Sequence, residues 1–195
     1  MGKKYYHGSN LEKEEGMRQG WPLLVIFCSL CLAACAGTTN PKERVPAALE
    51  LDFLDKQKVE LQACLERFDG TKIERRGDAV VITILCDTLF ESCSERIKPA
   101  ACPEIDSVAE VIKKYPKTKI NVDVHTDCIR SEEENLALSE LQAWTVKKAM
   151  ADRDVAASRI TARGWGESRP AASNATEAGR QANRRITIKL TPNQS

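Results

Sequence analysis

The sequence predicts an α/β sandwich with helices on one face of a mixed four-stranded sheet, and three observations predict it. Ala79 to Leu85 is an apolar run rich in β-branched residues, the composition of a buried strand. Ile120, Val122 and Val124 alternate with Asn121, Asp123 and His125, the period of a strand with one buried face. Between these strands Ile105, Val108, Val111, Ile112 and Tyr115 recur at helical spacing. A second helix runs from about Ser131 to Met150, opened by a capping box in which Ser131 is followed three residues later by Glu134. Arg159 to Ala162 and Ile186 to Leu190 supply two further short strands. Strand, helix, strand, helix, strand, strand is the order of a two-layer fold.

A chain of 195 residues has room for one domain of ordinary size plus an export segment and a linker. Its 29 basic and 28 acidic residues nearly cancel, which argues against a general attraction to nucleic acid. Three of its eight cysteines, Cys28, Cys31 and Cys35, lie in or at the end of the apolar run from Trp21 to Ala34. That run is shorter than the roughly 20 residues a membrane-spanning helix needs, and it reads as the core of a signal peptide over 1–34. It ends in Leu32-Ala33-Ala34-Cys35, which looks like a bacterial lipobox: small residues fit a narrow peptidase cleft, and the Cys35 thiol carries the thioether-linked lipid. The alternative is a short buried helix ending in a chance cysteine. Each buried acyl methylene contributes about 0.8 kcal/mol, so several chains on Cys35 form a lasting anchor. Ala36 and Gly37 follow, without the Asp that would retain such a protein at the inner membrane, so an outer-membrane location with the domain facing the periplasm is expected. Because Met1 to Gly16 is polar and charged, translation is expected to begin at Met17.

Residues 35–46, with Gly37, Thr38, Thr39, Asn40, Pro41 and Pro46, read as a flexible tether, reaching about 35–40 Å when extended. In the following segment, 47–76, an amphipathic helix is expected from Leu49 to Phe68, closed by Asp69-Gly70 and serving as spacer or docking helix. The domain itself is placed at 77–191.

Four segments of that domain resemble, in order, the OmpA C-terminal family. The first comprises Gly77-Asp78, Thr88 to Ser92 and Ile97-Lys98-Pro99. The second is Val124-His125-Thr126-Asp127, where the family usually has Gly-His-Thr-Asp. Asn135, Leu138-Ser139 and Ala143 form the third. The fourth is Gly164-Trp165-Gly166-Glu167 with Pro170, Asn174, Thr176, Gly179-Arg180 and Asn183-Arg184-Arg185-Ile186. The resemblance implies an OmpA-C-like sandwich that binds peptidoglycan without catalysis, gripping the zwitterionic diaminopimelate of the stem peptide. It implies a site drawn from Thr126, Asp127, Arg130, Asn135, Ser139, Gln142, Arg184 and Arg185, with Asp127 as the carboxylate for the ammonium group. Gln142 stands where the family has Arg, a loss of charge and of a bidentate fork on the order of 1–3 kcal/mol. Arg130 replaces a usual Gly and either blocks the pocket or supplies the missing charge. One of Arg184 and Arg185 is as readily a loop-orienting residue as a ligand contact.

Other candidate chemistry has plainer readings. His125 on an alternating strand reads as a hydrogen-bonded structural histidine, and Cys128 near it makes no convincing thiol–imidazole pair. Cys93 and Cys102, or Cys93 and Cys128, are candidate disulfides, Cys64 makes the count odd, and Cys86 reads as core. No paired ligand motif suggests zinc, and neither cofactor nor enzymatic activity is expected. Trp144 and Trp165 read as core aromatics, and Asn174-Ala175-Thr176 matches a glycosylation acceptor by pattern alone. Two functions follow: a lipid-anchored tether to the cell wall, or a scaffold subunit of an envelope or secretion machine that has given up wall binding.

Overall fold

The computed structural model describes residues 52–193. The signal peptide, Cys35, the tether and the expected start of the first helix at Leu49 lie outside the described residues. The elements in chain order are α1 (Phe53–Leu65), β1 (Thr71–Arg76), β2 (Ala79–Leu85), the single turn α2 (Cys86–Leu89), α3 (Cys102–Lys114), β3 (Thr118–His125), α4 (Glu132–Ala151), β4 (Ile160–Gly164), α5 (Glu177–Asn183) and β5 (Arg185–Pro192). The strands form one sheet in the order β1-β2-β5-β3-β4. All neighbours are antiparallel except β3 and β4, which α4 connects as a parallel pair.

The mixed sheet is as expected in kind but has five strands where the sequence pattern predicts four. The added strand is β1, whose sequence TKIERR has no apolar alternation. Its turn makes it a strand: Arg76 pairs with Ala79 across Gly77-Asp78, and Gly77 has φ of 58°, which suits the first position of a two-residue hairpin loop. As an edge strand β1 benefits from charge, because exposed charges discourage pairing with other chains.

Alternation determines which face of the sheet is buried. Ile82 pairs with Ile188 and Ile188 with Val122, while Ile84, Ile186 and Val124 form the next row and Val80, Leu190 and Ile120 a third. All nine side chains are buried. Against them α3 sets Ile105, Val108 and Ile112, α4 sets Ala143, Val146 and Met150, and α1 sets Leu54, Leu61 and Leu65. Truncating one of these to Ala costs about 2–5 kcal/mol.

The first helix docks on the domain. Asp52 caps it by accepting from the Asp55 N–H at 2.8 Å, and Arg75 of β1 reaches Asp52 at 2.6 Å and Asp55 at 2.8 Å. At the α3 end Glu60 accepts from the Tyr115 hydroxyl and from Lys114, each at 2.8 Å, and Phe53 meets the Tyr115 ring edge-on at 5.2 Å.

Helix α4 begins as the sequence predicts, with Ser131 and Glu134 making both halves of the capping box. It then packs so closely on β4 that a Cβ at Gly164 would lie 2.2 Å from the Glu140 nitrogen. Only a residue without a side chain fits there. The reading of Trp144 as core is corrected: it is 59 % exposed on the outer side of α4. Trp165 is half-buried, with its indole N–H donating to Asp123 Oδ1 at 2.8 Å.

Candidate functional site

Beyond the ends of β2 and β3 the chain forms a cavity of about 440 Å³. The segment after β2, the 126–130 loop, the start of α4 and Arg184 surround it. Asp127 is its acidic centre. Its Oδ1 accepts from the Ile129 N–H at 3.1 Å and its Oδ2 from Arg184 Nη1 at 2.8 Å. These two donors hold the carboxylate at a fixed angle while it remains only 7 % exposed.

Arg184 is itself held by other acids. Its Nε lies 3.1 Å from both Asp87 oxygens, its Nη2 lies 2.8 Å from Asp87 Oδ2, and the same Nη2 lies 3.2 Å from Glu177. Asp87 above all, with Asp127 and Glu177, pushes the guanidinium pKa above its ordinary value. Arg184 therefore positions Asp127 rather than offering a free fork. Neighbouring Asn183 fixes the chain on this side: its buried amide accepts from the Ala171 and Ala172 N–H groups at 2.7 and 2.9 Å and donates to Ala172 O and Asn174 Oδ1 at 2.9 and 2.7 Å.

Two α4 residues act on loops. Asn135 Nδ2 donates to the Asp127 carbonyl at 2.9 Å, the Arg130 carbonyl at 3.3 Å and Glu167 Oε2 at 2.7 Å, joining the loops after β3 and β4. Gln142 Nε2 donates to the Ser94 carbonyl at 2.8 Å, tying the segment after β2 to α4. Both line the cavity, yet these amide donors are engaged within the protein.

Arg130 lies on the cavity wall beside Cys93, a residue with φ of 58° that few non-glycine side chains adopt. The Ser92 hydroxyl donates to Cys93 Sγ at 3.7 Å, and Ser92 and Arg130 together draw the thiol pKa below its ordinary value. Thr126 Oγ1 and His125 Nδ1 are buried without a hydrogen-bond partner. The reading of His125 as a hydrogen-bonded residue is thus corrected at Nδ1. Burial first, then Arg185, pushes its pKa down to about 4, so the imidazole is neutral at pH 7.

The structure brings Thr126, Asp127, Arg130, Asn135, Gln142 and Arg184 to one cavity and places two other candidates elsewhere. Ser139 is fully buried, accepting from the Gly166 N–H and donating to the Leu136 carbonyl, each at 2.9 Å. It holds the β4 loop against α4 and does not line the cavity. Arg185 lines a separate groove and donates to the Arg169 carbonyl at 3.1 Å. Cys64, Cys86, Cys93, Cys102 and Cys128 are all free thiols, so neither candidate bridge, Cys93–Cys102 or Cys93–Cys128, is formed. Sequence reasoning passed over Asp87 and Lys98. Asp87 follows the β2 run directly, and Lys98, in a segment already matched to the family, donates to the Asp87 carbonyl at 2.6 Å. Among the described residues, no group of three or more His, Cys, Asp or Glu is placed to hold a metal ion.

Residues 89–184 match the model of the OmpA family. "Probable lipoprotein YiaD" of Escherichia coli K12 is 36 % identical over 140 residues, covering 72 % of this chain and 64 % of its own length. The chain thus spans less than two thirds of that relative. The outer-membrane lipoprotein YfiB of Pseudomonas aeruginosa is 27 % identical over 166 residues, covering 85 % of this chain and 90 % of its own. Among solved structures, the cell wall anchor of the T6SS from Pseudomonas aeruginosa superposes with a TM-score of 0.62 at 28 % identity, covering 69 % of this chain and 96 % of that one. The sandwich, the ordered motifs and the match over residues 89–184 agree that the chain carries an OmpA-like domain.

Proposed function

We propose that this chain is a lipoprotein of the outer membrane, anchored through Cys35, whose periplasmic OmpA-like domain holds peptidoglycan non-covalently. The observation that carries this reading is the Asp127 carboxylate, fixed by Arg184 and the Ile129 N–H in a cavity large enough for an amino-acid side chain. In this reading a diaminopimelate ammonium group pairs with Asp127, and the carboxylate on the same carbon faces Arg130. Arg130, which lines the same cavity, thereby replaces the charge lacking at Gln142. The buried Thr126 hydroxyl, which has no partner within the protein, supplies a further hydrogen bond. Support also comes from relatives whose names describe lipoproteins and a cell wall anchor. The test is binding of the detergent-solubilised chain to purified sacculi in the presence of free diaminopimelate. Release by diaminopimelate, but not by 1,5-diaminopentane, which lacks the carboxylates, at equal concentration, is the expected result; retention at saturating diaminopimelate contradicts the assigned ligand.

A second reading follows from Gln142, whose engagement with Ser94 in place of a charged group suits a scaffold that has given up the wall ligand. In that case the chain is a subunit of an envelope or secretion machine, and mild detergent extraction recovers it with companions in fixed ratio. Wall binding alone gives no such companions.

A further inference from the structure

Arg184 and Arg185 are consecutive, yet Arg184 lines the cavity with Asp127 and Arg185 lines a different groove of about 460 Å³. Arg185 pairs in register with His125, and the neighbouring pair Ile186 and Val124 lies in the core. The groove therefore runs over the face of the sheet opposite the helices. Its charged lining consists of Lys72, Arg76, Arg169 and Arg185 with one carboxylate, Asp123.

These charges are poorly compensated. Asp123 already accepts from the Trp165 indole. Lys72 and Arg76 share Glu74, each at 2.6 Å. Arg169 stacks 3.2 Å from the centre of the Trp165 ring, a flat contact that leaves its guanidinium edge available for hydrogen bonding. Arg185, half-buried, donates only to main-chain carbonyls, those of Asn183 at 3.4 Å and Arg169 at 3.1 Å. Among the described residues neither Arg169 nor Arg185 has a carboxylate partner. Burial lowers the pKa of Arg185, and Arg185 contributes to lowering that of His125. His125 is itself 94 % buried, by its 6 % exposure, and lines this groove with Nδ1 unpartnered. A half-buried guanidinium with no counter-ion is destabilising, and an anion seated beside it removes that cost.

We propose that this groove is an oxyanion site that binds a phosphate group between Arg185 and Arg169, with Arg76 and Lys72 at its open end. Phosphate suits it better than a single carboxylate because a tetrahedral group presents several acceptor oxygens to guanidinium forks approaching from different sides. A free phosphate and the phosphodiester of a lipid headgroup share this chemistry. On the proposed reading of Cys35 as the anchor, the tether allows the second: the 17 residue steps from Cys35 to Asp52 span up to about 55–60 Å, so the domain can return to the lipid surface.

The test is calorimetric titration of the full chain in neutral detergent, at low salt, with inorganic phosphate and separately with glycerophosphoglycerol, the headgroup of phosphatidylglycerol. Saturable binding weakened about tenfold in both Arg185→Gln and Arg76→Gln is expected. Arg76 lies exposed on the edge strand, so its variant reports on binding even if Arg185→Gln perturbs the loop around Arg169. Binding of the diester assigns the site to lipid headgroups, and binding of inorganic phosphate alone assigns it to free phosphate. No saturable binding of either compound by the folded wild type, or binding indifferent to both substitutions, overturns the proposal.

Discussion

Asp127 and Arg184 meet at 2.8 Å across 57 residues of sequence, and this pair joins the loop after β3 to the start of β5. The same guanidinium serves Asp87 and Glu177, so removing it leaves three carboxylates without their shared cation. Arg184→Ala is expected to destabilise the domain by about 2 kcal/mol, a value reduced from that of a buried network because Asp87 and Glu177 face solvent. Urea denaturation at pH 7 in low salt measures it, and high salt is expected to narrow the difference.

His125 makes stability depend on pH in a defined window. Its folded-state pKa of about 4 lies below the ordinary 6.5, so on acidification the unfolded chain takes up this proton first. The contribution is fully present above about pH 6.5 and is lost as pH falls toward 4. Between pH 7.5 and 5 the loss is about 2 kcal/mol. Denaturation midpoints of the wild type should fall over this interval more steeply than those of His125→Gln.

The thiols are expected to differ in reactivity by position. Cys93 is exposed, with a thiol pKa drawn down by Ser92 and Arg130, and Cys128 is exposed. Cys86 is buried and its pKa is pushed up to about 12. Since the thiolate is the nucleophile, brief iodoacetamide treatment followed by peptide mass analysis should modify Cys93 first and leave Cys86 unmodified until the chain unfolds.

Gly164 tests the packing of α4 on β4. A methyl group there meets main-chain atoms of Ser139 and Glu140 at 2.5 and 2.2 Å, which cannot move aside as a side chain would. Gly164→Ala is expected to cost about 3 kcal/mol or more and to lower the thermal midpoint, whereas Gly77→Ala meets no atom within 4 Å and is strained only by its φ of 58°.

Much of the fold was legible because burial imposes a period. The rows through Ile82, Ile188 and Val122 and the capped helix from Ser131 could be read directly from alternation and capping chemistry. Strand β1 was not, because an edge strand need not alternate and its only signal was the Gly77-Asp78 turn. Trp144 misled because bulk and apolarity do not determine which side of a helix faces the core. In the site, the family motifs located Asp127, Asn135 and Gln142, but residue identity could not reveal that Asn135 and Gln142 use amide donors on carbonyls of neighbouring loops. Nor could it separate Arg184 from Arg185, which point into different cavities because they stand where α5 ends and β5 begins.

The most direct measurement is cosedimentation of the full, detergent-solubilised chain with purified sacculi, comparing wild type, Asp127→Asn and Gln142→Arg. Asn keeps an oxygen for the Ile129 N–H while removing the charge, and Arg at 142 can retain a donor to the Ser94 carbonyl while adding one. Wild-type binding, its loss on the order of tenfold or more in Asp127→Asn, and its strengthening in Gln142→Arg are predicted. Absence of wild-type binding, or binding that Asp127→Asn leaves unchanged, would contradict the account of this domain as a wall anchor.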